Sequence, residues 1–206
     1  MSIRWPEAVL RGRKLTVYSA LASKSPVWNP VIGHLLKDFN AVSKKHGLGL
    51  QLTAAGQAPK EDGGADIAIN TATGKISLTF PGADPVAEQF DASRLHGRTL
   101  LLSRRGRMLK VFVFLPAKPL INTPSGQRPV GAKVLTLIAL HELVHACGLE
   151  DEDHGPSGLF QASPSVDFGD TAISDRARVQ PKLDRYMPPY VLDDDTVEAL
   201  KNLWTP

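Results

Sequence analysis

A chain of 206 residues with 42% hydrophobic and 22% charged residues is near the globular average and is long enough to bury a full core. No apolar run reaches the roughly 18 residues that a membrane span needs, and a single cysteine, Cys147, excludes an internal disulfide. The net charge is +3, and the opening MSIRWPEAVLRGRKLTVYSA lacks the apolar core of a signal peptide. We therefore expect a single-domain, cytoplasmic protein that does not contact a membrane.

The first third of the chain alternates between strand and helix patterns. Residues 14–21, KLTVYSAL, are rich in β-branched and aromatic residues and predict a strand. Apolar residues recur at helical spacing through residues 25–47, and Gly47 is a typical helix stop. Further strands are predicted for residues 48–55, 65–70 and 75–80.

A basic hairpin is predicted between Arg98 and Leu115. TLLLS and MLKVFVFLP flank the turn sequence RRGR, and the second arm, beginning at Met108, is apolar enough to be a central strand. We interpret the cluster of arginines as a solvated turn rather than a nucleic-acid patch, because no aromatic residues are interleaved with it.

The second half of the chain contains one strongly apolar helix between two irregular segments. Residues 116–131 hold four prolines, a density that predicts an ordered loop without regular structure. Residues 132–148 are apolar nearly all round and predict a helix buried in the middle of the domain. Residues 149–191 predict a long loop, and residues 193–204 predict a terminal helix. Its inward-facing residues are expected to be Val197, Leu200, Leu203 and Trp204.

Together these elements predict an α/β or α+β fold in one domain, residues 1–206. A strand–helix–strand beginning favours parallel pairing, so the sheet is expected to be mostly parallel.

The buried helix carries the sequence HELVH, in which His141 and His145 lie on one helical face. Two imidazoles one turn apart can bind one zinc ion, and Glu142 beside them can accept a proton from a zinc-bound water. Three polar residues on an otherwise apolar, buried helix are costly unless they bind something. The spacing therefore predicts a catalytic zinc site with Glu142 as the general base.

Two segments resemble the metzincin family of zinc metalloproteases. HELVHACGLED resembles the metzincin zinc motif, which ends in His or, in the snapalysin-type branch, in Asp. YMPPYV, residues 186–191, resembles the Met-turn that lies beneath the zinc ion in that family, and the helix after it resembles the C-terminal helix of matrixins. The chain is thus similar to a small bacterial or phage metzincin.

The resemblance implies a zinc-dependent endopeptidase with one catalytic Zn²⁺ ion. It implies an upper, sheet-containing part (1–148) with an antiparallel edge strand along which the substrate lies extended, and a lower part (149–206). Met187 would form a hydrophobic floor beneath the metal, and Pro188, Pro189 and Tyr190 would wall the substrate pocket. Cys147 lies within the active-site helix and is expected to pack as a small hydrophobic residue.

A catalytic zinc ion needs a third protein ligand, and two residues compete for that position. Asp151 has the family spacing, whereas His154 offers the commoner ligand type. If His154 binds the metal, Asp151 or Asp153 is expected to orient an imidazole N–H. The remaining histidines at positions 34, 46 and 96 are far away in sequence, and both candidates stay open at this point.

Two other functions compete with the peptidase. One is a zinc-dependent RNA hydrolase, which the basic hairpin would suit; the other is a non-catalytic binding module that keeps the zinc fold. Glu142 argues against both, because the RNA endonuclease family concerned lacks this glutamate and a binding module does not need it. We therefore expect a peptide or protein substrate, no nucleic-acid partner and a monomer.

Overall fold

The computed structural model describes residues 3–123, 126–162 and 190–205. The helices in these ranges are α1 (Glu7–Gly12), α2 (Asn29–Lys45), α3 (Ala132–Ala146) and α4 (Asp194–Leu203). The strands are β1 (Lys14–Tyr18), β2 (Gln51–Ala54), β3 (Ile67–Ala72), β4 (Lys75–Leu78), β5 (Val86–Gln89), β6 (Arg98–Arg104), β7 (Arg107–Pro116), β8 (Leu120–Thr123) and β9 (Gly126–Pro129). Two short 3₁₀ helices cover Ala22–Lys24 and Asp151–Asp153.

The central sheet is mixed, with a mostly parallel body and one antiparallel edge. Its strand order is β2–β1–β3–β7–β6. The β2–β1, β1–β3 and β3–β7 pairs are parallel, and β6 pairs antiparallel with β7. The predicted α/β class and the mostly parallel sheet are therefore confirmed, and the apolar arm of the basic hairpin is an internal strand.

The tight turn of the β6–β7 hairpin is solvated, as its composition predicts. Arg105 and Gly106 have φ angles of 53° and 74° and are exposed. Positive φ at two successive turn residues matches the twist of a two-residue hairpin, and Gly106 supplies one of them without steric cost.

The prediction that residues 116–131 lack regular structure is wrong. β8 and β9 form a two-stranded antiparallel hairpin there, in which Leu120 pairs with Pro129. Pro119 lies just outside β8 and Pro129 is the last residue of β9, and a proline at a strand end removes no inner ladder hydrogen bond. The number of prolines therefore does not exclude strands in this segment, because strand formation depends on where each proline lies. Helix α1 and strand β5 were not predicted either.

Helix α3 lies in the core, as predicted, and its C-terminal end is held by two tryptophans. It contacts α2, β6 and β7, and its residues from Val134 to Leu140 are all buried. Trp5 Nε1 donates to the Ala146 carbonyl at 3.2 Å, and Trp204 Nε1 donates to the Cys147 carbonyl at 2.9 Å. These bonds satisfy carbonyls that the helix itself leaves without a partner. The main core thus joins residues from both ends of the chain at the end of α3.

Helix α4 confirms the predicted terminal helix. Asp193 caps its first turn by accepting a hydrogen bond from the Thr196 N–H at 2.8 Å. Leu200, Leu203 and Trp204 are buried, and Val197 packs partly buried against the core. Within the described residues, no helix is both long enough and apolar enough to cross a membrane.

Candidate metal centre

Three histidines converge at the C-terminal end of α3. His141 and His145 lie one helical turn apart on α3, and His154 follows the 3₁₀ helix Asp151–Asp153. One ligating nitrogen from each lies within 4.8 Å of the other two, and the Nε2 atoms of His154 and His141 are 3.1 Å apart. Of the two rivals for third ligand, the structure thus brings His154 into the histidine cluster.

A sharp turn at Gly148 connects the helix to this third histidine. Gly148 has a φ angle of 112°, which is strained for any residue with a side chain. A Cβ atom at this position would also lie 2.7 Å from Leu203 Cδ2 of α4. The positive φ angle favours glycine here, as the sequence pattern predicted, and Leu203 would also have to shift to accept a larger residue.

Backbone carbonyls fix the orientation of all three imidazole rings. His141 Nδ1 lies 3.0 Å from the Leu159 carbonyl, His145 Nδ1 lies 2.8 Å from the Leu149 carbonyl, and His154 Nδ1 lies 2.6 Å from the Asp151 carbonyl. A carbonyl oxygen only accepts, so each Nδ1 carries the proton that it donates. In the neutral rings each Nε2 then presents a lone pair, which is the arrangement that a metal site requires.

The electrostatics of the cluster disfavour protonation of His141 and His145. Burial, reinforced by the neighbouring His145, lowers the pKa of His141 to about 3. Burial also lowers the pKa of His145, and the hydrogen bond to the Leu149 carbonyl opposes this in part. In rings that carry a proton on Nδ1 alone, the Nε2 lone pairs of His141 and His154 face each other across 3.1 Å, and a cation between them would offset their repulsion. Two nitrogens bound tetrahedrally at about 2.0–2.1 Å from one zinc ion lie roughly 3.3 Å apart, close to the observed separation.

A phenylalanine ring packs against the whole cluster. The Phe160 side chain is fully buried, and its centroid lies 5.0, 4.7 and 4.6 Å from the ring centroids of His141, His145 and His154. An apolar ring in contact with three imidazoles restricts their movement and lowers the local dielectric. No local sequence pattern marks Phe160 as part of this cluster.

Asp151 lies beside the cluster and is largely exposed. Its Oδ1 is 3.7 Å from His145 Nε2, its Oδ2 is 3.6 Å from an Arg98 guanidinium nitrogen, and its side chain is 70% exposed. Its carbonyl, rather than its carboxylate, accepts the His154 N–H. The Asp153 carboxylate accepts the Glu150 backbone N–H at 2.8 Å. The imidazole-orienting role expected of an aspartate side chain is therefore filled by backbone oxygens.

Glu142 is buried next to the histidines and is held by the edge strand. Only 4% of the residue is exposed, and its Oε2 accepts a hydrogen bond from the Thr99 hydroxyl at 2.7 Å. Burial raises the pKa of Glu142 to about 7, and the Thr99 hydrogen bond opposes the rise. A carboxyl group with a pKa near neutrality is suited to accept and release a proton.

A cleft of about 600 Å³ opens in front of these residues. Its lining includes all three histidines and Glu142, together with the first residues of the edge strand β6. His96 also lines the cleft, although its distance in sequence gave no reason to place it there. Within the part of the chain that the structure describes, the charged lining residues are Glu88, Glu142, Glu150, Asp151, Glu152, Arg94 and Arg98.

The remaining predicted site residues lie outside the cluster or outside the described ranges. Met187, Pro188 and Pro189, and with them the predicted Met-turn and most of the pocket wall, fall outside the residues that the structure describes. The Tyr190 hydroxyl donates to the Lys133 carbonyl at 2.8 Å, at the opposite end of α3 from the histidine cluster. Cys147 is fully buried, and burial raises the pKa of its thiol to about 12, so it packs as an unreactive hydrophobic residue.

The donor set fits a zinc ion. Three imidazoles whose Nδ1 atoms donate to carbonyls would offer three Nε2 ligands to a tetrahedral ion, and a cleft lies beside them for a water molecule or substrate. Carboxylate-rich sites suit Mg²⁺ or Ca²⁺, whereas three imidazole nitrogens suit zinc and other late transition metals.

Comparison with known proteins identifies no family for this chain. No protein-family model matches the chain, and no curated protein matches it.

Proposed function

We propose that this chain is a zinc-dependent endopeptidase. The observation that carries the proposal is the juxtaposition of three converging imidazole nitrogens with a buried glutamate in one cleft. When bound, zinc supplies a Lewis acid that polarises a peptide carbonyl and lowers the pKa of water.

The protein's own residues would bind the metal ion and transfer the proton. His141, His145 and His154 would hold the metal through Nε2, each oriented by a backbone carbonyl. Glu142, with a pKa raised to about 7, would take a proton from the attacking water and deliver it to the departing amine. The resemblance of HELVHACGLED to the metzincin motif, and a mostly parallel sheet with an antiparallel edge strand beside the cleft, support the same reading.

The charge of the cleft favours a peptide substrate over RNA. Among the described residues, five carboxylates and two arginines line it, and Arg98 already lies 3.0 Å from Glu88 and 3.6 Å from Asp151. A polyanionic backbone needs several unpaired cations along its path. The exposed arginines of the β6–β7 turn, Arg105 and Arg107, line a separate pocket beside α1.

The proposal is tested by metal analysis and peptide cleavage on the same preparation. We expect about one zinc ion per chain and cleavage of some members of a broad peptide library. A protein that neither co-purifies with zinc nor takes it up would contradict the proposal at its base.

Glu142→Gln provides the matched control for cleavage. The amide keeps the size of the side chain and can still accept the Thr99 hydrogen bond, but it cannot take the proton from water. We expect zinc content to be retained and turnover to be lost. Cleavage by the zinc-loaded variant would exclude Glu142 as the base. Zinc-loaded wild-type protein that cleaves neither peptides nor RNA would favour a binding module instead.

A further inference from the structure

Thr99, on the edge strand, contacts the side chain of Glu142 directly. Its Oγ1 lies 2.7 Å from Glu142 Oε2 and 3.2 Å from the Glu142 backbone carbonyl. A hydroxyl has one proton to donate, and the shorter contact to a carboxylate is the stronger when the carboxylate is ionised. The hydroxyl therefore holds chiefly the carboxylate.

The donor itself is held firmly in place. Thr99 pairs with Val113 in the antiparallel β6–β7 ladder, and Val113 belongs to the internal strand of the sheet. A β-branched side chain also has few χ1 rotamers available. The Thr99 hydroxyl is thus a fixed point from which the orientation of Glu142 can be set.

Gly97 allows the segment leading into the edge strand to approach Glu142 this closely. A Cβ atom at position 97 would lie 2.5 Å from Glu142 Cγ and 2.7 Å from its Cδ. Glycine therefore lets the backbone press against the carboxylate-bearing end of the side chain, while Thr99, two residues on, supplies the hydrogen bond. The two contacts act on the same few atoms of Glu142.

We propose that Thr99 is a positioning residue for Glu142: its hydroxyl holds Oε2 and leaves Oε1 to exchange a proton in the cleft. No hydrogen bond to Oε1 occurs within residues 3–123, 126–162 and 190–205. The kinetic consequence rests on the proposed peptidase function, whereas the hydrogen bond can be measured without turnover.

The kinetic test compares Thr99→Val with Thr99→Ser. Valine keeps the shape of the side chain and removes the donor, whereas serine keeps the hydroxyl. We expect valine to lower kcat about 10–100-fold, as for the loss of a hydrogen bond to a charged group, with KM and zinc content nearly unchanged. Serine should restore most of kcat. A valine variant with wild-type kcat, or a serine variant as impaired as valine, would overturn the proposal.

A double-mutant cycle tests the contact in the absence of any substrate. Thr99→Val should shift the urea midpoint of unfolding in the wild-type background, and much less in a Glu142→Met background, where no carboxylate is present. Additive shifts overturn the proposal whether or not the protein cleaves peptides. A non-additive cycle in a wild-type protein without peptidase activity would instead support the contact and refute the proposed function.

Discussion

His154 and His141 direct their Nε2 atoms at each other across 3.1 Å, although 13 residues separate them in sequence. Both rings donate Nδ1–H to backbone carbonyls, so the facing atoms are lone pairs in the neutral rings. A cation between them removes the repulsion. We therefore expect His154, rather than Asp151, to be the third residue of a metal site, with Asp151 beside the histidine cluster.

Replacing the two rival ligands separately tests this assignment. We expect His154→Ala to lose metal at neutral pH, because one of three imidazole nitrogens disappears. Asp151→Ala should retain metal with affinity weakened by at most about 10–100-fold, since only a neighbouring carboxylate is removed. Zinc affinity, measured by competition with a chelator of known strength, distinguishes the two.

Two results of this zinc-affinity measurement would contradict the assignment of His154 as the third ligand. The reverse order of affinities would put Asp151 on the metal and would match the aspartate-ending branch of the metzincin motif. Equal and small losses in both variants would mean that neither residue is a direct ligand.

The sequence predicted the half of the site that depends on local periodicity. Spacing of four residues on an apolar helix puts His141 and His145 on one face, and Gly148 predicts the turn that follows. These features depend on backbone geometry within one element, so they can be read from neighbouring residues. The β6–β7 hairpin and the buried helix α3 were predictable for the same reason.

The other half of the site depends on contacts between segments that are distant in the chain. Thr99 lies 43 positions before Glu142, and the residues next to Thr99 in sequence do not indicate a hydrogen bond to Glu142. His96 and Phe160 likewise carry no local pattern that marks them as cleft or cluster residues. Backbone carbonyls, which orient all three imidazoles, are present at every residue and cannot be recognised from sequence.

Phe160 provides a second prediction about the metal. Phe160→Leu should keep the core apolar but leave the three imidazoles without a flat surface to pack on, so we expect weaker zinc binding than in the wild type. The control is Phe39→Leu, since Phe39 is also buried in the main core but lies on α2 and is not among the described residues that line the cleft. Both variants should lose stability, by roughly 1–3 kcal/mol. Unchanged zinc affinity in Phe160→Leu would restrict the ring to a packing role.

Trp204, which donates a hydrogen bond at the end of α3, should also affect metal binding. Trp204→Phe removes the donor to the Cys147 carbonyl, next to the Gly148 turn that leads towards His154, and should lower both stability and zinc affinity. The lost hydrogen bond itself is worth about 1 kcal/mol.

Trp28→Phe is its matched control. Trp28 is also fully buried and donates at 2.8 Å to the carbonyl of Pro116, which ends β7 rather than α3. We expect Trp28→Phe to lower the free energy of unfolding and leave zinc affinity unchanged. Equal zinc affinities in both variants would show that the end of α3 does not control the position of the ligands.

The burial of Glu142 predicts how the stability of the metal-free protein depends on pH. Its pKa is raised from 4.5 to about 7 in the folded state, mainly by burial. Between these values the folded state binds more protons than the unfolded state, so this group's contribution to stability is complete below about pH 4.5 and is lost as pH rises through about 7. The neutral amide of Glu142→Gln has no such dependence.

We therefore expect the free energy of unfolding of Glu142→Gln to increase relative to wild type between about pH 4.5 and pH 7, by on the order of 2–3 kcal/mol. The depressed pKa values of His141 and His145 act in both proteins and cancel in the difference. Urea unfolding of the two metal-free proteins at a series of pH values measures this difference directly. A constant difference across the range would contradict a buried carboxylate with a raised pKa, and a difference that shrinks with rising pH would reverse the assigned direction of the shift.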